Sequence, residues 1–195
     1  MSKISFNNED IEIFSDKDFL LKKKVLTDEV ISLFKVISEE IKQELIKSPN
    51  LLWSSQFAGK ISKGQYYKDL PYIVSDYPRR IDKNGICLFR IIFLWGREFS
   101  CNFLITGDAF RSLIKKIENN LDLVDQNEYS YSIEGSPWEH SILEADLNKL
   151  NHLKNNQKIN TADFIKISRA LTINRYENLH EICIKMFRDI IRLTL

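Results

Sequence analysis

Two apolar runs lie almost back to back near the middle of the chain, Ile86 to Trp95 and Glu98 to Thr106, with only Gly96-Arg97 between them. Both are rich in Ile, Phe and Leu, residues that suit a pleated, half-buried surface. Neither approaches the ~20 apolar residues of a spanning helix, and Arg90 interrupts the first. The pair therefore reads as an antiparallel hairpin with Gly in its turn. Closing it over a two-residue loop sets Leu94 opposite Phe99, Ile92 opposite Cys101 and Arg90 opposite Phe103. Phe99, Cys101, Phe103 and Ile105 then make one apolar face, while Ser100 and Asn102 mark the other as more polar. That register turns Arg90 towards the apolar side, where a guanidinium needs a carboxylate to offset its desolvation. Asp76 is the first candidate partner and Asp69 the second.

Helical spacing flanks this hairpin. Asp16 caps a short turn through Phe19 and Leu20, and Thr27 caps a longer helix carrying Val30, Phe34, Ile37, Ile41 and Leu45. Lys47-Ser48-Pro49-Asn50 ends it. Asp108 caps a further amphipathic helix through Phe110, Leu113, Ile114 and Ile117. Tyr129, Tyr131 and Ile133 alternate as a short strand, and Phe164 to Ile167 reads as another. Asn174 and Glu177 form a box ahead of a last helix with a long apolar stripe from Leu179 to Ile191. Residues 137–150 stay open. Ser136-Pro137-Trp138-Glu139 looks like a capping box for a helix, while Trp138, His140 and Ile142 alternate as a returning strand would. With 195 residues, and few Gly (6) or Pro (4), the chain is expected to fold as one α+β domain. Its antiparallel sheet is built around the central hairpin, with N-terminal and C-terminal helices flanking it.

Several chemistries have no signature here. Walker, G-x-G-x-x-G, H-E-x-x-H, C-x-x-C and G-x-S-x-G sequences are all absent, and His140, His152 and His180 lack ligand spacing. No metal site and no cofactor are expected. The three cysteines, Cys87, Cys101 and Cys183, fall on apolar patterns and read as reduced, mutually distant, buried thiols of a cytoplasmic protein. Acidic residues follow Met1–Phe6 where a secretory signal would be apolar, so neither a signal peptide nor a membrane segment is expected. The net charge of +1 is uneven. Residues 51–100 carry eight Lys/Arg against four Asp/Glu, or +4, and residues 101–150 carry four against nine, or −5. A nucleic-acid footprint needs more than this, but a small anion does not.

The densest polar stretch is YYKDLPYIVSDYPRR, residues 66–80, with four tyrosines, two prolines and the adjacent Arg79 and Arg80. In one reading Pro71 and Pro78 bound a short strand, Tyr72 to Tyr77, and an aspartate answers Arg90. In the other, Tyr67, Tyr72, Arg79 and Arg90 line a polar patch walled by Trp95 or Trp138. Arginine offers a forked donor to carboxylate or phosphate, and tyrosines add area at low entropic cost. The candidate ligand-binding set is Tyr67, Tyr72, Asp76, Arg79, Arg80, Arg90, Trp138 and His140.

Residues 61–107 carry Gly64, Tyr67, Leu70, Pro71, Tyr72, Asp76, Tyr77, Pro78 and Arg79, then Arg90, and then Trp95, Gly96, Phe99 and Ser100. This arrangement resembles the pattern K-I-S-x-G-x-x-Y-x-x-L-P-Y-x-x-x-D-Y-P-R of an uncharacterised family of small bacterial proteins. The resemblance brings no activity, cofactor or catalytic residue with it. The residues themselves point to a non-catalytic binding or accessory protein that recognises an anionic ligand or a partner segment. The alternative is a small metal-independent enzyme using acid–base residues in a polar cleft. A homodimer is a third possibility.

Overall fold

The computed structural model describes residues 4–47, 52–53, 58–143, 145 and 147–195. Seven strands form one sheet in the order β1-β2-β3-β4-β7-β5-β6, every paired neighbour antiparallel. The strands are β1 (Lys60–Tyr67), β2 (Leu70–Asp82), β3 (Gly85–Leu94), β4 (Glu98–Thr106), β5 (Ser130–Ser132), β6 (Asn148–Lys149) and β7 (Phe164–Thr172). The helices are α1 (Asn8–Ser15), α2 (Lys17–Lys47), α3 (Gly107–Asn120) and α4 (Leu179–Thr194). The expected α+β architecture is present. No described helix is long and apolar enough to cross a membrane.

The hairpin forms, but its register differs by one residue from that of a two-residue loop. Leu94 faces Glu98, Phe93 faces Phe99 and Ile91 faces Cys101, so Trp95-Gly96-Arg97 is a three-residue loop with Gly96 at φ 73°. Because side chains alternate along a strand, that single step exchanges faces. Cys87, Phe89, Ile91 and Phe93 join Phe99, Cys101, Phe103 and Ile105 on one apolar face, and Arg90 joins Asn102 on the other.

The apolar face is covered by the second half of α2, by α3 and by α4. Phe34, Ile37, Ile41 and Leu45 of α2 are buried there, as are Phe110 and Ile117 of α3 and Ile182, Met186 and Phe187 of α4. Phe187 stacks on Trp53 and meets Phe89 edge-on, with ring centroids 5.4 Å apart in both cases.

The helix ends depart from expectation in instructive ways. The Asp16 carboxylate accepts from the Phe19 amide at 2.8 Å, as a cap should, but the helix it opens runs unbroken to Lys47. The Thr27 hydroxyl donates to the Lys23 carbonyl within that helix and caps nothing. Of Lys47-Ser48-Pro49-Asn50, expected to terminate α2, Lys47 is the last helical position and the other three lie outside the described residues. Thr106, not Asp108, precedes α3. Asp108 sits in the first turn, where its carboxylate suits the helix dipole and accepts from Arg111 at 2.8 Å. A 3-10 segment, Ile173–Asn178, fills the place of the expected box before α4, and the Asn174 side chain accepts from Thr172 instead.

β2 is longer than the expected strand and passes through both prolines. The Pro71 carbonyl accepts from the Trp95 amide at 3.0 Å. At Pro78, which follows a cis peptide, the ladder to β3 skips between Asp76 and Arg79, so the missing N–H falls where pairing is already interrupted. The described residues of 137–150 form neither the helix nor the returning strand. A turn at Pro137-Trp138 leads into a strap that lies over the polar face of the sheet, and among its described residues only Asn148–Lys149 pair, with β5.

Candidate functional site

A single cross-strand row sets out the polar face. Asp76 of β2 lies opposite Arg90 of β3, which lies opposite Asn102 of β4, which lies opposite Ser168 of β7, which lies opposite Ser130 of β5. Five strands thus place polar side chains on one line. Arg90 donates to Asp76 through two parallel bonds, Nε to Oδ1 at 2.6 Å and Nη2 to Oδ2 at 2.9 Å. Their side chains are only 13% and 6% exposed, so this pair is held largely away from water. The Ser168 hydroxyl donates to Asn102 Oδ1 at 2.7 Å, and Asn102 Nδ2 donates to the Ser100 hydroxyl at 3.1 Å.

The strap is fastened to this face through its backbone. The Tyr67 hydroxyl accepts from the amides of His140 and Ser141, at 3.0 and 3.4 Å. The Glu98 carboxylate accepts from the amides of Ile142 and Leu143, at 2.6 and 2.9 Å. Lys166 Nζ donates to the Glu139 carbonyl at 2.8 Å. These bonds explain why the Ser136 box does not start a helix. Glu139 accepts from the Ser141 amide and pairs with Lys68, and the following amides go to tyrosine and carboxylate oxygens rather than to helical carbonyls. Ser136 keeps half of its expected role, accepting from the Trp138 amide at 3.2 Å.

Under the strap, the His140 ring lies 4.7 Å from the Tyr67 ring and 5.0 Å from the Tyr72 ring. Tyr72 in turn lies across Gly64, its cross-strand neighbour, where a Cβ would stand 2.2 Å from the tyrosine ring. Only glycine leaves room for that ring. Trp138 lies over the Arg90 guanidinium at 4.7 Å, a cation–π contact that also shields the ion pair. Burial and the charges of Arg90 and Lys166 push the His140 imidazole down to about 4, so it is neutral at physiological pH. Burial, partly opposed by Glu139, lowers Lys166 to about 8. Burial raises Glu98, against the pull of the two strap amides. Two buried polar atoms here have no partner, His140 Nδ1 and Ser141 Oγ.

Of the eight residues expected at a site, six gather here: Tyr67, Tyr72, Asp76, Arg90, Trp138 and His140. Arg79 sits further along β2 opposite Leu88, on the polar face, with its Nε unpartnered. Arg80 departs to the other face, opposite Cys87, where its Nη1 donates to the Leu52 carbonyl at 3.3 Å and its Nε lies 3.6 Å from Asp82. Adjacent residues on a strand point to opposite sides, so the two arginines do not act together. Trp95 forms no wall of this site, because it packs on Phe93 at 5.1 Å against the core on the helix-covered face. Asp69 occupies the β1–β2 turn at φ 64° and plays no part in answering Arg90. Glu98, Ser141 and Lys166 were not anticipated. Lys166 had a readable signal, since it alternates with Ile165 and Ile167 in a strand and so belongs to the opposite face.

Among the described residues no group of three or more His, Cys, Asp and Glu side chains is placed to hold a metal ion. No family, curated protein or solved structure matches the chain.

Proposed function

We propose that this chain is a binding or accessory protein whose polar sheet face, beneath the strap, takes a small anion of the carboxylate or phosphate class. One observation carries the reading. His140 and Ser141 bury a ring nitrogen and a hydroxyl that no protein group satisfies, next to the cations Arg90 and Lys166. A buried polar atom left unpaired costs about 1–3 kcal/mol, and such atoms are rare without a purpose. An anion would accept from the Ser141 hydroxyl and from an Nδ1–H tautomer of His140, while favouring the charged form of Lys166. Asp76 already engages Arg90, which fixes the guanidinium plane against Trp138 and leaves its remaining donors as a preorganised edge. The residues that resemble the bacterial family's pattern support the same place, since Gly64, Tyr67, Tyr72, Asp76 and Arg90 all converge on it. The protein partner of an accessory subunit would meet the same chemistry by presenting an acidic segment.

Acetate, citrate, inorganic phosphate and pyrophosphate form a direct probe set, followed by melting temperature and by the His140 NMR signals. Binding of at least one of them should raise the melting temperature and shift those signals. It should weaken above about pH 8 as Lys166 loses its proton. Ser141→Ala and Lys166→Met should each lose the effect while keeping the fold. If none of the anions moves either readout, the reading fails.

A second reading, acid–base catalysis, has its own observation. Lys166 is lowered to about 8 in the same cleft where Glu98 is raised, and groups poised this way suit proton transfer. A substrate turned over with a pH–rate profile that Lys166→Met abolishes would favour it over simple binding.

A further inference from the structure

We propose that residues 4–26 form an arm through which two copies of this chain associate, each arm packing antiparallel against the other. The observation begins with α2. Leu45, Ile41, Ile37 and Phe34 are buried, and the same helical spacing continues outward through Val30, Leu26, Lys23 and Phe19. No α2 residue before Phe34 is buried, and α1 buries none at all. The stripe therefore runs off the body of the protein. Phe6, Phe14, Phe19, Leu20, Leu21 and Val25 are 48–62% exposed. Phe6 and Phe14 pack edge-to-face at 5.1 Å, which gives the outer end of the arm a defined shape.

At the root of the arm lies an apolar groove of about 580 Å³ whose lining includes Leu26, Val30, Leu33, Phe93, Trp95 and Tyr176. It sits on the helix side of the sheet, away from the anion site. Arm and groove adjoin at Leu26, and an exposed apolar surface of this kind marks an association site rather than a monomer's ordinary exterior.

Charge selects the occupant. The outer end of the arm is acidic, with Glu9, Asp10 and Glu12, and its root is basic, with Lys22, Lys23 and Lys24. A surface acidic at one end and basic at the other fits a copy of itself turned through a two-fold axis. Helices that lie on an anionic membrane carry basic residues along the polar face instead, which the acidic end contradicts. In the antiparallel arrangement each acidic end meets the partner's lysines, and the apolar stripes close on one another between them.

Sedimentation equilibrium of the full chain tests this, with a mass of twice 23.0 kDa expected. Phe14→Asp/Phe19→Asp should weaken association by at least about 100-fold, the loss of two apolar anchors at an interface centre. Lys22→Glu/Lys24→Glu and Glu9→Lys/Glu12→Lys should each weaken it too, and mixing those two variants should restore a heterodimer. All four positions are exposed. Asp10 is left intact because it closes the α1 capping box with Asn7. Unchanged circular dichroism and melting of the dissociated variants keep folding out of the comparison. A wild-type mass of one copy at every concentration overturns the proposal, as does a dimer indifferent to these substitutions. Failure of the mixed variants to re-associate overturns it as well, and would leave the arm to a different partner.

Discussion

Arg90 and Asp76 are worth most when judged by what losing one of them leaves behind. Removing the guanidinium strands a carboxylate that is 6% exposed, so Arg90→Ala should cost roughly 3–5 kcal/mol in urea unfolding. Replacing both partners, as Asp76→Leu/Arg90→Met, should cost clearly less than the single change. Equal losses in the two variants would mean that the pair is not the determinant. The partnership was legible from the isolated charge in an apolar strand. Its face was not, because Gly96 adopts φ 73° in a three-residue loop and the turn length cannot be read from Gly-Arg alone. The cysteines suffered from the same slip. Cys87 and Cys101 share the helix-covered face, and Cys101 lies in contact with Cys183 rather than far from it. Burial raises Cys87 to about 12 and pushes Cys183 up as well, and Cys101 is fully buried, so all three free thiols should resist a thiol reagent until the protein unfolds. His140 and Lys166 give stability a pH dependence. Each is lowered in the native state, from 6.5 to about 4 and from 10.5 to about 8. The unfolded chain therefore binds more protons within those two windows, and stability rises with pH through both. The slope approaches about 1.4 kcal/mol per pH unit for each group. His140→Gln should flatten the lower window and Lys166→Met the upper, measured as the wild-type-minus-variant difference in unfolding free energy at several pH values. A difference that stays constant across its window would place that side chain in water.

Elements were easiest to read where one periodicity acts alone. α3, α4 and the second half of α2 bury the side chains their apolar spacing marks out, because a helix stripe needs only one flat partner. The β1–β2 hairpin was not visible. Tyr67 pairs with Leu70 across Lys68 and Asp69, both at positive φ, and Lys-Asp lacks the Asn-Gly chemistry that advertises such a turn. The strap was illegible for a different reason, since its local capping signals are outcompeted by oxygens from β1 and β4, far away in sequence. Tyr67→Phe isolates that competition. It removes the acceptor of two strap amides without changing the ring stack, and should cost about 1–3 kcal/mol. Hydrogen exchange should speed up at His140 and Ser141 and stay unchanged in β3 and β4. If protection at both amides survives, the tyrosine is not the fastening.

The whole molecule is a sheet with two unlike faces. The helix-covered one was readable as a class of fold because it needs only apolar residues in alternate positions. The polar one was not, because its row draws a residue from each of five strands, and no local window contains them. The core should behave as one unit. Phe187 is fully buried between Trp53 and Phe89, and Phe187→Ala should lower stability by about 3–5 kcal/mol in a single transition that α4 and the sheet share. Two separate transitions would show that the helices and the sheet unfold independently. The fastening of the strap has a further meaning for how such a protein can change. Tyr67, Glu98 and Lys166 grip main-chain atoms, which every amino acid except proline supplies alike. The side chains facing the site can therefore be exchanged without loosening the grip. Variation in the strap can alter what is recognised while the scaffold stays as it is, a division of labour between a fixed clasp and a replaceable reading head.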